Sequence, residues 1–164
     1  LTFLLILVYF AWVHYAPRRS AEDALNGVAF VLAVFGTVVL HELGHALAAR
    51  RYGIETRDIT LLPIGGVARL ERMPEDPKQE LVVALAGPLV NVVIAAGLYF
   101  GTELRGGFAA LPDGDIATSL TFVERLILVN VFLVLFNLIP AFPMDGGRVL
   151  RAVLAMFMDY AQAT

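Results

Sequence analysis

The chain has 164 residues, a formal net charge of −3 and no cysteine. That charge gives nucleic acid or a strongly basic substrate no footing, and the missing cysteines exclude disulfides, thiolate metal ligands and a cysteine nucleophile. With 59% hydrophobic and 16% charged residues, and a mean hydropathy of +0.75, it is more apolar than soluble domains, which are about half apolar and a quarter charged. Its apolar residues are gathered into long runs, which favours a membrane protein over a soluble core.

A membrane-spanning helix needs about twenty mainly apolar residues. Residues 1–16 read as a span cut short at its start, and residues 24–49 as a full span with polar residues near its end. The link 50–78 carries two β-like runs, 54–62 and 67–71, around the breaker Pro63-Ile64-Gly65-Gly66. A third span covers 81–100, a glycine-rich loop 101–117, and a fourth span 119–139. A fifth helical segment begins near Gly147 and runs off the end. The expected fold is an α-helical polytopic membrane protein. Its transmembrane helices form a bundle, with a small β-hairpin or sheet in the link between the second and third. Residues 1–164 read as one transmembrane core, a fragment ending within a further helix. Arg50, Arg51, Arg57, Arg69, Arg72 and Lys78 cluster in the 50–78 link. The positive-inside rule puts that link in the cytoplasm and 101–117 outside, against the weaker vote of Arg18 and Arg19.

His41-Glu42-Leu43-Gly44-His45 reads as HExxH. Helix positions four apart share a face, so both imidazoles can point at one metal ion. Glu42, one step round, can reach a metal-bound water without being a ligand. Neutral imidazole suits zinc, which lowers the pKa of bound water to about 7. Ionisable side chains inside a spanning helix are costly and mark function, the bland alternative being a cluster that hydrogen-bonds neighbouring helices. Gly44 and Gly36 read as close-packing positions.

Two histidines leave a catalytic zinc one protein ligand short. Asp145 is the best candidate, because it follows the fourth span in a stretch with Pro140, Pro143, Gly146 and Gly147. Irregular backbone at membrane depth is tolerated where it lines a buried site. The competing acids Glu71, Glu75, Asp76 and Glu80 read as belonging to a solvated link, and Glu124 with Arg125 as an interfacial charge pair. One zinc, one carboxylate and one hydroxide sum to zero charge, which a low-dielectric site holds most cheaply.

Three motifs together resemble the site-2 protease family of intramembrane zinc metalloproteases. They are HELGH at His41–His45, the NxxPxxPxDGG run from Asn137 to Gly147, and Ala86-Gly87-Pro88-Leu89-Val90-Asn91 on the third span. The resemblance implies that His41, His45 and Asp145 bind one Zn2+ per chain and that Glu42 activates water. It implies that Asn137 acts near the substrate or the oxyanion, the plainer reading being an interhelical hydrogen bond. Asn91 stands between packing and support of the site. The link is too short for the PDZ domain that many members insert. The chain looks like the compact branch, which often carries a cystathionine-β-synthase-type domain after the last helix.

The expected reaction is hydrolysis of a peptide bond in or beside a substrate's membrane helix, so the partners are the lipid bilayer and a membrane-protein or membrane-anchored peptide substrate. The expected location is the membrane, multi-pass, most simply a prokaryotic cell membrane, with the active site near the cytoplasmic face. An unwound substrate needs partners for its backbone groups, and a strand edge at Gly65, Gly66 and Val67 can supply them by β-augmentation. One rival is a metal or ion transporter built on the same His, Glu and Asp, although a transport site has no need of Glu42. Another is a catalytically dead scaffold, which retention of all four chemical residues disfavours.

Overall fold

The computed structural model describes residues 21–62, 65–70, 76–107 and 120–158, with only the backbone described for 56–62 and 65–70. The first expected span, 1–16, lies outside the described residues, as do the acids Glu71 and Glu75 and most of the 101–117 loop.

The chain is mostly helical. Helix α1 covers Ala21–Arg50. Two short strands follow, β1 over Thr56–Leu62 and β2 over Gly65–Leu70, antiparallel with Thr60 opposite Val67, Leu61 opposite Gly66 and Leu62 opposite Gly65. Helix α2 covers Pro77–Glu103, α3 Phe122–Asn137 and α4 Asp145–Leu154. Helix α2 is the hub, with α1, α3 and α4 all packed on it.

Local chemistry sets the boundaries. Helix α1 ends where Gly53 takes a left-handed φ of 71°, and Ile54 N–H returns to the Ala49 carbonyl at 3.2 Å. This is the glycine-terminated helix end that satisfies orphan carbonyls. It folds Ile54 into a small apolar cluster with Ala49 and Val83. Helix α2 starts with Asp76 accepting from Lys78 N–H at 2.8 Å and Pro77 in its first turn, where a missing N–H costs nothing.

Helices α1 and α2 are long and apolar enough to cross a membrane. Only 22% and 33% of their apolar windows are buried inside the protein, whereas the core helix of a soluble protein would be mostly buried. Polar side chains share the interior with small and mid-sized apolar ones such as Val31, Ile54 and Leu126, and many large apolar side chains face outward. Leu47, Leu89, Val93, Phe100, Phe132 and Leu135 are exposed, while Thr37, His41, Glu42, His45, Glu80, Asn91, Asn130 and Asp145 are buried. In lipid the apolar side chains need no shelter and the polar ones do.

Several expectations are corrected. The run 119–139 yields a helix of 16 residues, about 24 Å at 1.5 Å per residue, short of the roughly 30 Å hydrocarbon thickness. A capping box between Thr121 and Glu124 starts it late, and the proline-containing turn stops it at Asn137. That capping box also replaces the expected Glu124–Arg125 pair: Thr121 N–H donates to Glu124 Oε2 at 2.6 Å, while Arg125 lies 5.4 Å from the centre of the Phe30 ring. The fifth segment starts at Asp145, within two residues of the expected Gly147, but its helix ends at Leu154, closing in tight turns such as Phe157 N–H to the Leu154 carbonyl at 2.9 Å. An acid in the first turn of a helix is favoured by the helix dipole. Gly44 packs as expected, since a Cβ there would meet the Ala86 carbonyl oxygen at 2.9 Å, but Gly36 has nothing within 4 Å among the described residues.

Candidate metal centre

Helix periodicity brings His41 and His45 to one face of α1, where both are buried. Asp145 arrives from one hundred residues further along, as the first residue of α4. Its approach depends on Gly146 and Gly147. A Cβ on Gly146 would collide with the Leu138 and Ile139 carbonyl oxygens, and one on Gly147 would lie 2.9 Å from the Ala141 carbonyl oxygen. The two glycines let α4 start directly under the turn that ends α3. The irregular backbone expected there is present: Ala141 N–H reaches the Ile139 carbonyl at 2.7 Å, Met144 N–H reaches the Ala141 carbonyl at 2.9 Å, and the Phe142–Pro143 peptide is cis.

The result is a nearly equilateral triangle. His41 Nε2, His45 Nε2 and Asp145 Oδ2 lie 3.1 Å from one another. Zinc bonds of about 2.0 Å at tetrahedral angles would set ligand atoms roughly 3.3 Å apart, so the triangle matches one face of a zinc tetrahedron to within a few tenths of an ångström. The donor set, two imidazole nitrogens and one carboxylate oxygen, is one that zinc takes, and three protein ligands are the number that a catalytic zinc would use.

Helix α2 fixes this triangle from behind. His45 Nδ1–H donates to the Val83 carbonyl at 2.7 Å, which leaves Nε2 as the bare nitrogen facing the metal position. A Cβ on Gly87 would overlap both imidazole rings, so only glycine lets α2 lie flat against them. In the sequence Gly87 stands within the third family motif without a role of its own, and nothing marks the Val83 carbonyl. A glycine inside an apolar helix was the available signal for the first. A backbone carbonyl leaves no signal.

The remaining predicted residues fall at different distances from this centre. Glu42 is buried next to His41 but stands outside the triangle. Asn91 is fully buried one turn beyond Gly87, and neither atom of its amide has a hydrogen-bond partner among the described residues. His41 Nδ1 is likewise buried without a partner. Asn137 ends α3, and its Nδ2 donates to the Leu133 carbonyl of its own helix at 3.0 Å. Gly65, Gly66 and Val67 belong to β2. Two competing acids are otherwise engaged, Asp76 as a helix cap and Glu80 in an ion pair with Arg151.

Residues 29–106 and 102–162 match Peptidase family M50. Zinc metalloprotease MJ0392 of Methanocaldococcus jannaschii is 42% identical over 142 residues, 84% of this chain and 37% of that protein. The solved structure of the site-2 protease from Methanocaldococcus jannaschii superposes with a TM-score of 0.68 at 38% identity, covering 99% of this chain and 68% of that one. The chain thus spans little more than a third of the curated relative's length.

Proposed function

This chain belongs to peptidase family M50, and on that premise we propose that it is the transmembrane core of an intramembrane zinc metalloprotease. It cleaves a peptide bond in or near the membrane segment of a membrane-protein or membrane-anchored substrate. The observation that carries the reading is the buried triangle of His41 Nε2, His45 Nε2 and Asp145 Oδ2 with 3.1 Å sides. Its size and donor set suit one zinc ion per chain, which when bound would polarise the scissile carbonyl and acidify water.

The side chains divide the remaining work. Glu42 accepts a proton from the attacking water and returns it to the leaving amine, which splits one difficult transfer into two short ones. Asn137 supplies an amide N–H toward the developing oxyanion once its side chain turns from the Leu133 carbonyl. Asn91 supports the histidine face of α1 from one turn beyond Gly87. The hairpin β1–β2 belongs to the core, and its segment Gly65, Gly66 and Val67 pairs with the unwound substrate backbone, whose N–H and C=O groups need partners in a poorly hydrated site. Residues 1–164 act as one domain in a prokaryotic cell membrane, with the metal near the cytoplasmic face because HExxH lies at the end of α1 closest to the arginine-rich link. Family membership and the placement of Glu42 favour hydrolysis over the transporter alternative.

The test uses the purified chain in detergent with a membrane-anchored peptide. Glu42→Gln should keep zinc at the wild-type level, measured by atomic absorption, and lose cleavage by at least about a thousandfold, because the base acts in every turnover. Near-normal turnover in this variant would remove Glu42 from the mechanism. A chelator should abolish wild-type cleavage and added zinc should restore it.

A further inference from the structure

The first two turns of α2 touch His45 directly and touch α4, the helix that begins with Asp145, through Arg151. The Val83 carbonyl holds His45 Nδ1 at 2.7 Å. Three residues earlier, on the same side of the helix, Glu80 is only 1% exposed. Its Oε1 accepts from Arg151 Nε at 2.9 Å and from Arg151 Nη2 as well. Arg151 belongs to α4, six residues after Asp145. Its guanidinium also lies 5.7 Å from the centre of the Phe142 ring, in the turn that delivers Asp145. A buried carboxylate and a guanidinium are costly unless paired. The hydrolytic chemistry uses neither.

We propose that Glu80 and Arg151 are positioning residues for the metal, acting through Asp145. The pair ties α4 and the Phe142 turn to the same stretch of α2 that orients His45, so that Asp145 Oδ2 stands at its place in the triangle before any ion arrives. Preorganisation of this kind raises affinity by removing the cost of ordering the ligands on binding. The residue types suit this role, because arginine's planar fork delivers two N–H groups in a fixed direction, which a lysine ammonium cannot do. This inference rests on the reading of the triangle as a zinc site. It differs from ordinary support of the fold, which would change unfolding without changing the coordination sphere.

The experiment uses the whole chain in detergent. Zinc affinity is measured by competition with a chromophoric chelator, coordination geometry by the visible bands of the Co2+-substituted protein, and fold by circular dichroism and thermal unfolding of the apo form. Glu80→Gln should weaken zinc binding by about ten- to a hundredfold, the effect typical of groups that orient ligands, and should shift the Co2+ bands. Arg151→Lys should do the same to a smaller degree. Folded variants with wild-type zinc affinity and unchanged Co2+ bands overturn the proposal, even if they melt earlier. If Glu80→Gln does not fold, Arg151→Lys, which keeps the charge, decides by the same criteria. If neither folds, the pair supports the fold as a whole and the positioning role is rejected. A wild-type chain that binds no zinc would instead defeat the metalloprotease reading.

Discussion

The HExxH segment of α1 and the turn into α4 bring side chains to one proposed metal site by opposite means. His41 and His45 share a face because any α-helix puts positions four apart on one side, and their nitrogens stand 3.1 Å apart, with α2 contributing the Val83 carbonyl that turns the His45 ring. Asp145 reaches the same place only because the backbone of 138–142 and the start of α4 approach so closely that Gly146 and Gly147 have no room for side chains. The first arrangement is written largely into a single helix. The second is an agreement among α2, α3 and α4. The histidine pair should therefore tolerate changes in packing better than the carboxylate does, and substitutions can separate the two.

The largest effect belongs to the carboxylate itself. Asp145→Ala removes one of three ligands and the charge that neutralises the ion, so zinc affinity should fall by more than about a thousandfold, several kcal/mol of lost coordination. Stoichiometric zinc in the purified variant, held by three other protein ligands, would show that the triangle is not the site. Next comes Gly146→Ala. The new Cβ would collide with backbone oxygens of Leu138 and Ile139, which cannot swing away as a side chain can. Zinc affinity should drop at least about tenfold and stability by about 1–3 kcal/mol, the usual range for overpacking. Retention of wild-type zinc by this variant would mean that Asp145 does not depend on the close turn.

Gly44→Ala probes the local half. Its Cβ would press on Val90 Cγ2 at 2.8 Å and on the Ala86 carbonyl oxygen at 2.9 Å, pushing α1 from α2. Unfolding should show a loss of about 1–3 kcal/mol. Zinc should weaken less than in Gly146→Ala, because both histidines move with their helix. The reverse order of zinc affinities would erase the contrast between the two regions. The smallest effect is expected at Gly36, where nothing among the described residues lies within 4 Å of the new Cβ. Gly36→Ala should stabilise by about 0.5–1 kcal/mol, the helix-propensity gain of alanine over glycine, with no change in zinc binding. A thermal midpoint below wild type would reveal a contact at that face.

Parts of the molecule differ in how far the sequence alone discloses them. The apolar runs at 24–49 and 81–100 correspond to α1 and α2 within a few residues, because length and hydropathy are sums over neighbours. The histidine pair was equally legible, since its spacing and the helix period are both local. The Thr121–Glu124 capping box was legible too, as a threonine three residues before a glutamate, yet the adjacent Glu124 and Arg125 invited a pairing the helix start does not make. The fourth run was overestimated because a hydropathy run does not mark where α3 begins or stops.

What the sequence determined is the set of groups able to bind a metal and their order along the chain. The tertiary structure showed how Asp145, already the best candidate in the sequence, is brought to the histidines, that Val83 orients His45, and that Glu80, expected among solvated acids, is buried against Arg151 instead. The physical reason is range. A helix period and an apolar run are fixed by neighbours a few residues away. The Asp145 contact joins residues one hundred positions apart, and it turns on backbone oxygens that every residue type possesses and on the empty space beside a glycine. Neither has a letter of its own.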